Sequence, residues 1–323
     1  MNPSITTTTA SIAPSQARSL SPSFIGLVRA ELYKMWAQWT TRILLGLVFA
    51  ATFLPYLLLL ARSQTKTDFT AQPLYWTYNV AEISLTILRV LGGFALLVIA
   101  ARAVGLEYQQ GTIRVLLSRG VGRVQLLTAK LTSVTLLAIA MVIGSLILNS
   151  LLFLLQFGLI YGAGDQFSSA FTSGFWASVW AYFLTVLVSM AASILLAICV
   201  AVVGRSLSFG VSAALSWFAA DNFAVLVLFF VYRLTQNDFW IKLPAYFLGP
   251  ILNQLPSAYV PALLVQHTTE FGTTVTAPLG ANTVGLTPFV TYDATHAFVV
   301  TLIYCVVFAV TAYILTWRRD VLE

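Results

Sequence analysis

The sequence predicts an all-α, polytopic membrane protein with about six transmembrane helices. To these it adds an N-terminal interfacial helix, a short cytoplasmic helix, and short re-entrant or interfacial helices between spans five and six. Composition carries the class: 59% of the 323 residues are hydrophobic and 9% are charged, against roughly 25% charged in a soluble domain, which excludes a water-soluble fold. Spacing carries the count, because charged residues divide the chain into uncharged stretches close to the roughly 20 residues a helix needs to cross a bilayer. The net charge of +6 reads as membrane orientation rather than nucleic-acid binding, since Lys and Arg collect in cytoplasmic loops. One transmembrane domain follows, over residues 23–323.

Residues 1–22 are rich in Ser and Thr, carry Pro3, Pro14 and Pro22, and lack the apolar core of a signal peptide, so they read as a disordered cytoplasmic tail. From Ser23 to Trp39, the side chains of Phe24, Val28, Leu32, Met35, Trp36 and Trp39 fall within about a third of a turn on a helical wheel. Arg29 and Glu31 border that stripe. The pattern is that of a helix in the inner interface, with two Trp residues at headgroup depth, and a simple cytoplasmic extension of the first span is the competing reading.

Spans follow at about residues 42–61, 83–104, 131–160, 175–203, 207–232 and 296–317. Pro55 is expected to kink the first, and Arg89 in the second is expected to snorkel to the outer interface, with a substrate-contacting role as the competing reading. The third belongs to a charge-free run from Leu131 to Gly164, long enough to tilt or project. Residues 62–79 read as a polar connection, and Gly204-Arg205-Ser206 as a tight loop. Between Arg233 and Thr295 repeated prolines interrupt any long helix, leaving Leu243 to Leu255 and Tyr259 to Val265 as short helices on or dipping into the outer leaflet. With the N-terminus inside, twelve of the 17 Lys and Arg residues fall on the cytoplasmic side, which places both termini in the cytoplasm of a plasma-membrane protein.

The most charged stretch, Arg102 to Lys130, then lies in the cytoplasm. Gly111-Thr112 reads as a break and restart, Gly permitting a turn and Thr capping the next helix. Ile113, Leu116 and Leu117 share one face of that helix, and Arg114 and Ser118 another. A short amphipathic helix between Gly111 and Gly120 suits docking into a groove on a soluble partner. An ordinary solvated loop is the competing reading.

The run from Glu107 through Gly111-Thr112-Ile113-Arg114-Val115-Leu116-Leu117-Ser118-Arg119 to Arg123 and Lys130 resembles the signature of type-2 ATP-binding-cassette (ABC-2) permeases. Their usual form is an acidic residue, Gly-Thr, an aliphatic-rich helix, Ser-Arg-Pro, Arg, and Gly-Lys opening the next span. Gly120 stands where Pro is common, and Ala129 where Gly is common. The interface helix with Glu31 and Lys34, the number of spans and the basic Arg318-Arg319-Asp320 are also similar to that family.

The resemblance implies a membrane-spanning exporter subunit whose coupling helix sits in a cleft of a separate ATPase subunit. The implied contact residues are Glu107, Gly111, Thr112, Arg114, Leu117, Ser118, Arg119 and Arg123, and the interfacial helix is marked by Glu31, Lys34, Trp36 and Trp39. The sequence contains no Gly-x-x-x-x-Gly-Lys-[Ser/Thr] phosphate loop, so no cofactor is expected on this chain, and ATP and Mg are expected on the partner. The remaining expected partners are a second permease chain, identical or paralogous, and membrane lipids.

Asp221, beside Asn222 near the middle of the fifth span, stands apart because a carboxylate at mid-bilayer costs roughly 2.5–3.5 kcal/mol. It reads either as a polar lining of the translocation path or as a hydrogen-bonded contact that holds the bundle together. Two rival functions use it: an ion-coupled carrier, and an intramembrane enzyme built on Asp221, His267 and His296. Neither gives a role to the patterned cytoplasmic loop. The two His residues lack the neighbours of a metal set, and Cys199 and Cys305, inside apolar runs, read as packing residues.

Overall fold

The computed structural model describes residues 23–162, 171–259 and 293–318, and these are helices joined by short connections. Helix α1 (Phe24–Ala37) starts at Ser23, whose hydroxyl accepts the Gly26 N–H at 3.1 Å. Gln38 is extended and ends it, so α2 (Trp39–Ala61) is a separate helix. The expected interfacial helix is therefore shorter at its end, and the first span begins with Trp39 rather than near residue 42.

Helix α3 (Thr65–Ala71) and the first turns of α4 (Pro73–Gln109) occupy the segment expected as a polar connection. Phe69 is the reason. It is fully buried, with its ring 4.3 Å from Phe157 and 6.3 Å from Phe153. Pro73 sits in the first turn of α4, where its missing N–H has no helical partner to lose.

The short α5 (Thr112–Ser118) separates α4 from α6 (Arg123–Phe153), which runs on as a π-helical stretch, Leu154–Ile160. The third span thus starts at Arg123, ahead of the expected Leu131. Helix α7 (Ser173–Gly204) turns into α8 (Leu207–Thr235) through Arg205, left-handed at φ 47°, in the tight loop expected there. The proline-rich region holds α9 (Asp238–Lys242), a 3₁₀ turn at Leu243–Tyr246, and α10 (Leu248–Tyr259). The last helix is α11 (Ala294–Arg318). The tail 1–22, His267, nearly all of the expected helix Tyr259 to Val265, and Arg319-Asp320 lie outside the described residues.

Among the described residues six helices are long and apolar enough to cross a membrane: α2, α4, α6 with its π-helical extension, α7, α8 and α11. Helices α4 and α7 form the centre and pack along one another. Their hydrophobic stretches are 67% buried, whereas that of α8 is 11% buried, so α8 is peripheral. Leu88, Leu96 and Leu97 of α4 meet Val186, Leu196 and Ala197 of α7 in one hydrophobic core. Near the other end of α4, a side chain on Gly105 would come within 2.7 Å of the Leu207 Cα, so the absence of a Cβ lets α4 touch the first residue of α8.

Candidate functional site

Four charged side chains from distant parts of the sequence meet where α1, α4 and α6 converge. The Lys130 ammonium donates to Glu31 Oε2 at 2.9 Å, to the Ala103 carbonyl at 2.7 Å, and pairs with Glu107 Oε1 at 2.8 Å. Lys34 Nζ donates to the same Glu107 oxygen. Lys130 is 3% exposed, Glu107 1% and Glu31 7%, so these charges have left water and need partners to be tolerated. Two acids and two bases cancel, and the three protons of Lys130 meet three acceptors. One turn further along α6, the Ser133 hydroxyl lies 3.1 Å from the Val28 carbonyl of α1.

This junction decides which face of α1 turns inward. Val28, Glu31 and Met35 are buried, while Trp36 is 58% and Trp39 74% exposed. The apolar stripe divides: Val28 and Met35 turn inward beside the Glu31 ion pair, and Trp36 and Trp39 turn outward. Sequence reasoning missed Lys130 as a site residue. The available signal was a Lys immediately ahead of the charge-free run from Leu131 to Gly164.

Gly111, at φ 65°, turns the chain from α4 into α5. That conformation costs an L-residue about 1–2 kcal/mol. Gly111, not Thr112, holds the N-cap position, and the Thr112 hydroxyl instead lies 3.5 Å from the Glu107 carbonyl, correcting the expected cap. Ile113 is buried and Leu116 and Leu117 are half-buried, whereas Arg114, Val115, Ser118 and Arg119 are exposed. Gly120, at φ 82°, closes the helix, its N–H donating to the Leu117 carbonyl at 3.0 Å. Arg123 opens α6 and lines a small cavity beneath α5 with Tyr108, Leu117 and Arg205. The expected contact residues thus divide. Arg114, Ser118 and Arg119 face out together with Val115, which sequence reasoning passed over, while Leu117 and Glu107 face in.

The charged residues of this junction, from Glu31 to Lys130, and the whole of α5 fall within residues 27–237, which match the family model described as ABC-2 family transporter protein. The match covers about two thirds of the chain. The chain belongs to this family. It is the membrane-spanning permease component of an ABC transporter, an integral multi-pass membrane protein, and the ATPase of such a transporter lies in a separate subunit. No curated protein matches the chain.

The ABC-2 permease has a second polar region, where α4, α7, α8 and α10 meet. Asp221 Oδ2 accepts the Gly249 N–H at 3.0 Å in the first turn of α10, where orphan donors and the helix dipole favour an anion. The Asn222 amide donates to the Phe218 carbonyl at 2.7 Å, and the Asn253 amide donates to Asn222 Oδ1 at 3.1 Å.

Arg89 does not snorkel. It is 4% exposed, and its Nη1 donates to the Leu252 carbonyl of α10. Four residues further along α10 stands Pro256, which has no N–H for that carbonyl. Arg89 therefore takes up an acceptor that a proline orphans. His296 hydrogen-bonds the Ala245 carbonyl at 2.8 Å, and no group of three or more metal-ligating side chains occurs among the described residues.

Proposed function

We propose that this permease is one of two membrane subunits of an exporter, that α5 is its coupling helix, and that α1 lies in the inner membrane interface. The construction of α5 carries the reading: its apolar face is fastened beneath Gly111, while Arg114, Val115, Ser118 and Arg119 stand exposed at the turn between two spans. A short face with two guanidinium groups suits a polar cleft on an ATPase subunit. The excess of Lys and Arg on one side supports a cytoplasmic position for this turn and for both termini. ATP and Mg are bound by the ATPase subunit. The exposed Trp36 and Trp39 suit headgroup depth. A second permease chain, identical or paralogous, and membrane lipids cover the exposed apolar faces of α2 and α8. Movement of α5 passes to α1, α4 and α6 through the Lys130 junction.

Asp221 acts in this reading as a bundle contact, and its bond to the start of α10 supports that role. The test is co-purification of the ATPase subunit from native membranes. Wild-type permease is expected to retain it, and Arg114→Glu with Arg119→Glu to lose it while remaining folded. Arg114→Cys should react with an impermeant thiol reagent only from the cytoplasmic face. Labelling from outside overturns the proposal.

A further inference from the structure

We propose that the cavity beside Arg89 binds the anionic headgroup, carboxylate or phosphate, of an amphipathic cargo. The word cargo rests on the exporter reading above, but the site itself does not. The cavity, of about 90 Å³, is lined by Arg89, Ser189, Ser193, Asn222, Leu252 and Asn253, with Phe94 at its rim. A water molecule needs roughly 10–15 Å³ of such space, so there is room for several waters or for the oxygens of a small oxyanion.

The donors select the ligand. The Nε and Nη2 atoms of Arg89 have no hydrogen-bond partner among the described residues, nor does the Ser189 hydroxyl. With Nη1 engaged by Leu252, Nε and Nη2 form the free edge of the guanidinium, the fork that holds a carboxylate or phosphate through two parallel bonds. A buried cation with an empty fork is costly unless something neutralises it. Glu82 shares the Arg89 face of α4 but stands two turns away, about 10 Å along the helix, and does not line the cavity. The Tyr182 hydroxyl, hydrogen-bonded to Thr86, also interacts with the Arg89 guanidinium, but as a neutral group it does not cancel the charge. Asp221 is turned to α10. A neutral headgroup could accept from the fork but would leave its charge uncompensated, and a cationic one would be repelled. The rim explains the tail: Phe94 is 42% exposed and, with Val90 and Phe218, offers an apolar exit for an alkyl chain.

The test uses the permease with its ATPase subunit in nanodiscs of zwitterionic lipid, and labelled dodecanoate, dodecyl phosphate and dodecanol as probes. Both anions should bind about tenfold or more tightly than the alcohol, given hydrogen bonds to charged groups. Arg89→Gln should abolish that preference. Ser189→Val fills the cavity without touching the Arg89 to Leu252 bond, and should abolish it too, so a folding defect in the first variant does not hide the result. Dodecanoate should also stimulate ATP hydrolysis in wild type but not in Ser189→Val. Equal binding of acid and alcohol, or an unchanged preference in both variants, overturns the site. A preference without any change in hydrolysis overturns the cargo role and assigns the site to a resident lipid. A preference in a permease that recruits no ATPase leaves the site standing and removes the exporter reading instead.

Discussion

Lys130→Met keeps the length of the side chain and deletes a charge that meets three acceptors at 2.7, 2.8 and 2.9 Å. Glu31 loses its bond to Lys130, and Glu107 retains its pair with Lys34. Since Lys130 and Glu107 are 3% and 1% exposed, water cannot compensate for the loss. Removing one partner of a buried ion pair costs about 3–5 kcal/mol, or about two to three and a half orders of magnitude in the folded-to-unfolded ratio. Glu31→Gln combined with Lys130→Met deletes the stranded charge as well, and should recover about 2 kcal/mol as a coupling energy. The assay is reversible unfolding in mixed SDS micelles, followed by Trp fluorescence, on wild type, both single variants and the double variant. If the double variant is destabilised by the sum of the singles, no coupling exists, and the ion pair is not what fastens α1 to α6.

Gly105→Ala should destabilise by about 1–3 kcal/mol through overpacking, because its Cβ would stand 2.7 Å from the Leu207 Cα; Gly46→Ala, with nothing within 4 Å, is the control expected to melt at or above the wild-type temperature. Arg114→Glu with Arg119→Glu should change stability by no more than about 0.5 kcal/mol for each exposed substitution, yet abolish ATPase co-purification. Pro256→Ala returns a backbone donor to the Leu252 carbonyl, so Arg89→Met should cost about 1 kcal/mol less in that background than in wild type, measured in the same unfolding assay.

The spans were legible because bilayer thickness sets a length that apolar runs must meet, and α2, α4, α6, α7, α8 and α11 all meet it. Their ends were less so, since a charge looks like a loop until its partner is known. Lys130 is neutralised by Glu31, 99 positions away, and Arg89 answers a carbonyl 163 positions away. No window along the chain contains either pair. The α5 turn could be read because its cause is local: Gly111 and Gly120 supply the two left-handed residues that bound it. Which residues of α1 turned inward could not, because a wheel counts apolar area and cannot show that Glu31 pairs with Lys130.

Helix α10 is held by Asp221 and Asn222 on α8 and by Arg89 on α4, so a shift of α4 against α8 must load one of these bonds. Asp221 offers a substitution that separates holding from proton carriage. Asp221→Asn retains an acceptor for the Gly249 N–H and loses only the charge at the helix start, a change of about 0.3–1 kcal/mol. Asp221→Leu orphans that N–H in a half-buried place, at about 1–3 kcal/mol. An anchoring Asp221 therefore predicts near-normal ATP-driven transport for the Asn variant and reduced stability and transport for the Leu variant. A carrier of protons must titrate, and Asn cannot. Transport abolished by Asp221→Asn in a protein of unchanged stability would make Asp221 part of the chemistry of the pathway and would remove it from the anchor of α10.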